Sequence, residues 1–263
     1  MHFPIHLTIG IIIPCMNKKR LSIMVPAFNE ERNLANTIKE IKKGIGKKLE
    51  NYEIIIFNDG SIDKTGKIAD NLVKEDKKIR VVHNNPNRGM GFCYRTGQKL
   101  ARFEYYMYIP GDNQFPHKGL SKMLDSLGKV DIVIPYVTNM HIRPLLRQLI
   151  SHAFTLLMNF LFGLKINYYN GPVIHKTKLL RITPQNPNSG HAYQAEILVR
   201  LLTAGASFIE VGFNTYERKA GKTTAFKLKN IKRVVGTLVP LFWQIQVLHR
   251  ASIPQTTKRL ITH

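Results

Sequence analysis

The chain has 263 residues, 44% of them apolar, which is enough for one large α/β domain with a buried core. Its 39 lysines and arginines stand against 17 acidic residues, for a formal charge of +22; the partners are therefore anionic, whether nucleic acid, a lipid surface or a phosphate-bearing substrate. The cations are spread along the chain with no arginine-rich block or RNA-binding signature, so no nucleic-acid partner is expected, and Cys15 and Cys93 have neither metal-ligand spacing nor the look of a disulfide framework, which fits a reducing cytosol.

The first fifteen residues, MHFPIHLTIGIIIPC, are apolar but lack the charged start and cleavage site of a signal peptide. Met16 is followed by Asn-Lys-Lys-Arg and then by a strand. Two readings stand for residues 1–20: an extension preceding a true start at Met16, or a short membrane-surface anchor.

From Leu21 short β-rich runs alternate with amphipathic stretches. LSIMV predicts a strand, residues 30–49 a helix with Leu34, Ile38, Ile41 and Ile45 on one face, YEIIIF a strand, 63–75 a helix and IRVVH a strand. A helix over 91–103, a strand YYMYI, a loop PGDNQFP, a helix over 120–127 and a strand DIVIP follow. Alternation of this kind builds a mostly parallel sheet flanked by helices. After about residue 136 the rhythm changes: a long helix over 144–164, a loop rich in Asn, Pro and Gly, a helix through Glu196, a strand FIEVGF and a basic C-terminal helix over 227–250. The domain reading is a nucleotide-binding half at 21–136, an acceptor half at 137–224 and a basic amphipathic segment at 225–263.

Ligands of open α/β sheets sit beyond the carboxyl ends of the strands, and the polar exceptions cluster there. PAFNE closes the first strand, NDGS the second, and GDNQ follows the fourth. Singly, each has a capping reading: Asn29 for the helix beginning at Glu30, Ser61 or Asp63 for the next. Together, three polar loops converge on one cleft.

The set VPAFNEE at 25–31, NDGSIDKT at 58–65, NRGMGFCYRTG at 87–97, PGDNQFP at 110–116 and ERKAGKTT at 217–224 resembles the family 2 glycosyltransferases of GT-A fold, in the branch of the dolichol-phosphate mannose synthases and bacterial polyprenyl-phosphate sugar transferases. The resemblance implies that Pro26, Ala27 and Glu30 line a nucleoside pocket and that Asp59 hydrogen-bonds the base or ribose. Arg88, Gly89 and Gly91 fall in a loop close to the donor, where glycines admit the backbone and arginine meets phosphate. Asp112 and Gln114 match the end of an Asp-x-Asp-x-Gln site for Mg²⁺ or Mn²⁺; Pro110 stands in place of the first aspartate, so the metal is held by Asp112, Gln114, water and donor phosphates, or the chain is a metal-free or inactive relative. Arg218 and Gly221 match an R-x-x-G-x-S-K loop, with Lys222 or Lys219 supplying the later cation.

In the family the acceptor oxygen attacks the anomeric carbon in line, with inversion. A hydroxyl acceptor requires a general base; a phosphate monoester, already anionic, does not. Glu196 is the carboxylate facing the acceptor in the resembled family, as catalytic base or as structural anchor, with Ala195 where hydroxyl-using relatives carry a second acid. PLLRQLISHAFTLLMNFLFG presents Leu145, Leu149, Leu156 and Phe160 on an apolar face behind Arg143 and Arg147, which suits either a core helix or a helix at the interface, its arginines on lipid phosphate. Residues 227–250 mix Lys229, Lys232 and Arg233 with Leu238, Leu241, Phe242 and Trp243, suited to the same interface. No run reaches the ~18 to 20 apolar residues of a spanning helix, so the protein is expected to be peripheral, on the cytoplasmic face. The expected reaction moves a sugar from a UDP- or GDP-sugar to a polyprenyl phosphate, with Arg143, Arg147, Arg218 and Lys222 on the acceptor phosphate. The alternatives are a hydroxyl acceptor on a glycan or lipid, and a nucleotide-binding inactive relative.

Overall fold

A computed structural model describes residues 19–187, 189, 192–216 and 228–248. The expectations for residues 1–18 and for Arg218, Lys219, Gly221 and Lys222 lie outside the described residues.

Seven strands form one sheet in the order β3-β2-β1-β4-β6-β5-β7: β1 Arg20–Ala27, β2 Asn51–Asp59, β3 Ile79–Asn84, β4 Tyr105–Tyr108, β5 Ile132–Val137, β6 Ile174–Lys176 and β7 Phe208–Phe213. All pairings are parallel except those of β6, which runs antiparallel between β4 and β5. The central strands are apolar on both sides because helices cover both faces. On one face α1 (Leu34–Ile45), α2 (Thr65–Glu75) and α4 (His117–Leu124) pack over Ile23, Val25, Ile54 and Ile56; on the other α3 (Met90–Leu100), α6 (Thr177–Ile182) and α7 (Tyr193–Thr203) pack over Met24, Ile55 and Phe57.

The strand order reverses between β1 and β4. That switch point opens a crevice at the carboxyl ends of the strands, and it lies between the PAFNE and PGDNQ loops.

Three expectations change. First, α1 begins at Leu34 and not at Glu30, because Asn29 takes a left-handed φ of 56° and the Glu30 N–H goes to Thr65 Oγ1 at 2.8 Å. Second, β6 and α6 were not foreseen: a strand of three residues is too short to show a period. Third, α5 (Leu145–Phe162) is 18 residues long and, by length and composition, apolar enough to cross a membrane, against the expectation that no run is. It buries Met158 and Phe162 against the core, while Leu145, Leu149, Leu156 and Phe160 are exposed, Phe160 by 85%. Helix α8 (Leu228–Phe242) contains Pro240, which has no N–H for the ladder, and passes into a π-helical turn, Trp243–Val247. The two elements meet: the Phe162 and Phe242 rings lie 6.2 Å apart and Gln246 Nε2 donates to the Leu161 carbonyl at 2.8 Å.

Candidate active site

The β1–α1 and β2–α2 loops are laced together by side-chain bonds to backbone N–H groups. Asn29 N–H donates to Ser61 Oγ (3.0 Å), Ile62 N–H to Asn29 Oδ1 (3.0 Å), Glu31 N–H to Asp63 Oδ2 (3.2 Å) and Lys64 N–H to Glu31 Oε2 (3.1 Å). Asn29 and Ser61 are therefore ties between loops and not helix caps, while Asp63 does both, since its Oδ1 also accepts the Thr65 N–H that opens α2. Burial alone would raise the Asp63 carboxyl, but the Thr65 hydroxyl and N–H and the Glu31 N–H outweigh it and hold it below the usual aspartate range.

Asp59 is buried at the end of β2, where its Oδ1 accepts from Arg88 N–H (2.9 Å) and Asn84 Nδ2 (2.8 Å) and its Oδ2 from Gly89 N–H (2.8 Å). Its carbonyl accepts from Asn87 Nδ2. Besides any contact with a nucleoside, Asp59 thus shapes the loop that carries Arg88. Gly60, with φ 76°, must lack a side chain here: a Cβ would come 2.7 Å from the Asn87 nitrogen. The exposed Arg88 guanidinium lies 4.2 Å from the Phe92 ring centroid, a cation–π contact that steadies it at the mouth of the cleft. Asn58 is buried next to Asp59, with Nδ2 on His83 Nδ1 and Oδ1 accepting the Ser61 N–H.

Across the switch point, Gly111 N–H donates to the Pro26 carbonyl (3.1 Å) and Thr37 Oγ1 to the Gly111 carbonyl (3.0 Å). A Cβ on Gly111 would come 2.9 Å from that Pro26 oxygen, so glycine lets the Asp112 loop lie against the end of β1. Pro26, buried Ala27 and Asp112 are thereby brought together. Asp112 Oδ1 accepts the Gln114 N–H at 3.3 Å, Asn113 takes a left-handed φ of 57°, and its Oδ1 is buried without a partner. Among the described residues no cluster of three or more His, Cys, Asp or Glu forms a metal cage; the oxygen donors of this loop are one carboxylate and two amide carbonyls. The Gln114 carbonyl also accepts from Tyr216 N–H (3.1 Å) and Thr215 Oγ1 (3.0 Å), two and three residues before Arg218.

Glu196, in the first turn of α7, which is buried from Tyr193 to Leu202, is 1% exposed. Its carboxylate accepts from Arg200 Nε (3.2 Å) and from the Asn186 N–H (3.1 and 3.2 Å), and burial pushes its pKa up despite those partners. Arg95 donates to the Asn186 and Pro187 carbonyls, so the segment before α7 is held from both sides. Arg143, half-buried before α5, donates to Tyr168 Oη at 3.3 Å. Tyr168 lines a cavity of about 140 Å³ together with Tyr136, Met140, Ser151, His152 and Thr155. Arg147 is half-buried in the first turn of α5.

The profile of the family described as glycosyl transferase family 2 matches residues 22–181. The chain is 25% identical to a dolichyl-phosphate beta-glucosyltransferase of Dictyostelium discoideum over 86% of its own length and 77% of that protein's. It is 26% identical to a polyprenol monophosphomannose synthase of Mycolicibacterium smegmatis, over 77% of this chain and 80% of that one. The crystal structure of glucosyl-3-phosphoglycerate synthase from Mycobacterium tuberculosis in complex with Mn²⁺, UDP and glucosyl-3-phosphoglycerate superposes with a TM-score of 0.64 at 16% identity, covering 85% of this chain and 80% of that chain. That likeness shows the GT-A fold.

Proposed function

The chain belongs to glycosyl transferase family 2, and on that premise we propose that it moves a sugar from a UDP- or GDP-sugar to a polyprenyl phosphate, with inversion, at the cytoplasmic face of a membrane. The observation that carries the acceptor reading is Glu196: the carboxylate in the acceptor-side helix is buried and engaged by Arg200 and the Asn186 N–H, an arrangement that anchors a loop. An acceptor that is already anionic needs no base. The names of the similar proteins, which act on dolichyl and polyprenol phosphates, support the same reading.

In this account Pro26, Ala27, Glu30 and Asp59 bound the nucleoside side of the cleft, and Arg88, Gly89 and Gly91 face the diphosphate. Asp112 and Gln114, with the unpartnered Asn113 Oδ1, fit a hard divalent cation that arrives with the diphosphate and is not caged beforehand. When bound, Mg²⁺ or Mn²⁺ neutralises charge on the departing diphosphate. A phosphate oxygen of the acceptor forms the bond to the anomeric carbon as the bond from that carbon to the diphosphate breaks; no proton has to move. Arg143 and Arg147 meet the acceptor phosphate, and Arg218 and Lys222 the charge between the two phosphates. The halves 21–136 and 137–224 serve donor and acceptor, and 225–263 joins α5 in lying on an anionic lipid surface: Leu145, Leu149, Leu156 and Phe160 of α5 and Val235, Val239 and Trp243 of the C-terminal segment are exposed, and the two elements meet at the Phe162 and Phe242 rings. The test is to offer polyprenyl phosphate and the unphosphorylated polyprenol in parallel: product from the phosphate alone supports the reading, and product from the alcohol replaces it with a hydroxyl acceptor.

A further inference from the structure

Helix α7 is buried on all sides from Tyr193 to Leu202, and apart from Glu196 and Arg200, which pair, and the Tyr193 hydroxyl, its one other long polar side chain is Gln194. Gln194 is 2% exposed, and neither its Oε1 nor its Nε2 has a hydrogen-bond partner. A buried amide with both ends unmet is costly, and an aliphatic residue would fill the same space without that cost.

Its position bears on the site. Gln194 stands in the first turn of α7, which opens without a side-chain cap. The adjacent Tyr193 ring lies 4.7 Å from Tyr94 and 6.1 Å from Tyr108. Tyr94 belongs to α3, the helix that starts at the Arg88–Gly89 loop, and Tyr108 ends β4, four residues before Asp112. The turn that carries Gln194 therefore packs on both elements that deliver the donor-side residues.

The amide also selects its ligand. A phosphate or carboxylate can only accept hydrogen bonds and would leave the carbonyl unmet; a cation would leave the N–H₂ unmet. Hydroxyl groups both donate and accept, and a pair on one sugar ring satisfies both ends of an amide. We propose that Gln194 is a specificity-determining residue that hydrogen-bonds hydroxyls of the sugar being transferred. This rests on the nucleotide-sugar reading above. A site built to bond a hydroxyl rejects analogues lacking it, because the protein group is then left unpaired.

The test compares wild type with Gln194→Leu and the longer Gln194→Met, titrating UDP, GDP and their glucose, mannose, galactose and deoxy-sugar conjugates in the presence of Mn²⁺, with melting temperature as a second readout. The expected result is that wild type prefers one sugar over its epimers and deoxy forms by tenfold or more, and that both variants lose this preference while binding the sugar-free nucleotide as before and melting no lower than wild type. Unchanged preference in the two variants, with an equal or higher melting temperature, would overturn the inference and leave the nucleotide-sugar reading standing. Failure of wild type to bind any nucleotide sugar would remove both.

Discussion

The Asp59 carboxylate accepts the backbone N–H of Gly89 at 2.8 Å while its other oxygen holds that of Arg88 at 2.9 Å, so the acid at the end of β2 and the arginine of the β3–α3 loop form one unit. Replacing Asp59 by Ala leaves both N–H groups without that acceptor, each loss costing about 1–3 kcal/mol where it is buried. Urea unfolding should show a destabilisation of that order, and nucleotide affinity should fall at least tenfold; unchanged affinity would mean that the Arg88 loop keeps its shape without Asp59.

The lacing of the two donor loops predicts that Asn29→Ala disturbs binding more than folding. It removes one acceptor, for the Ile62 N–H on an exposed surface, and sets alanine at a left-handed φ of 56°, so stability should fall by about 1–2 kcal/mol. The Ser61 contact is made by the Asn29 backbone and is retained. Nucleotide titration and thermal melting, run side by side, separate the two effects.

His175, buried in β6 with its Nε2 unpartnered, has its pKa pushed down to about 3 by burial. In the unfolded chain the imidazole titrates near 6.5, about its ordinary value. As pH falls through that value the unfolded chain takes a proton that the folded chain refuses, so His175 makes stability decline from about pH 6.5 towards pH 3. Urea midpoints measured between pH 4.5 and 7.5 should fall on the acid side in wild type and fall less in His175→Gln.

Glu196→Gln separates base from anchor. Loss of a general base costs roughly 10²- to 10⁴-fold in rate; loss of an anchor that holds Asn186 and Arg200 should lower kcat by less than about tenfold while lowering the melting temperature, because Arg200 loses its charged partner in a buried site. A rate loss in the larger range at unchanged melting temperature would assign Glu196 to proton transfer.

The exposed face of α5 predicts lipid binding that depends on apolar area. Leu149 and Phe160 are 59% and 85% exposed, so Leu149→Asp and Phe160→Asp should leave the melting temperature nearly unchanged. Burying such a side chain in lipid contributes about 1.5–3 kcal/mol, and each substitution should weaken co-sedimentation with anionic vesicles about tenfold or more.

Much of this was legible in the residues because β1 and β2 are short apolar runs, because α1 carries a clean helical period, and because the loops at the strand ends stand out as polar. What the residues did not announce has a common physical origin. Asn29 and Ser61 have the chemistry of helix caps, and only the fold shows that their partners lie 32 and 33 residues away in the facing loop. Two of the three donors to the Asp59 carboxylate are backbone N–H groups 29 and 30 residues on, which no side-chain pattern announces. Strand β6 offers three residues of signal, and Gln194 is conspicuous only once its burial is known.

The most direct measurement is transfer of labelled sugar from a panel of UDP- and GDP-sugars to undecaprenyl and dolichyl phosphate, in detergent with Mg²⁺ or Mn²⁺, for wild type and Asp112→Ala. The account predicts a lipid-linked sugar from one donor class, dependent on the cation and reduced at least a hundredfold in Asp112→Ala. A protein that binds nucleotide sugar yet forms no lipid product, or whose product forms equally well without Asp112, would contradict it.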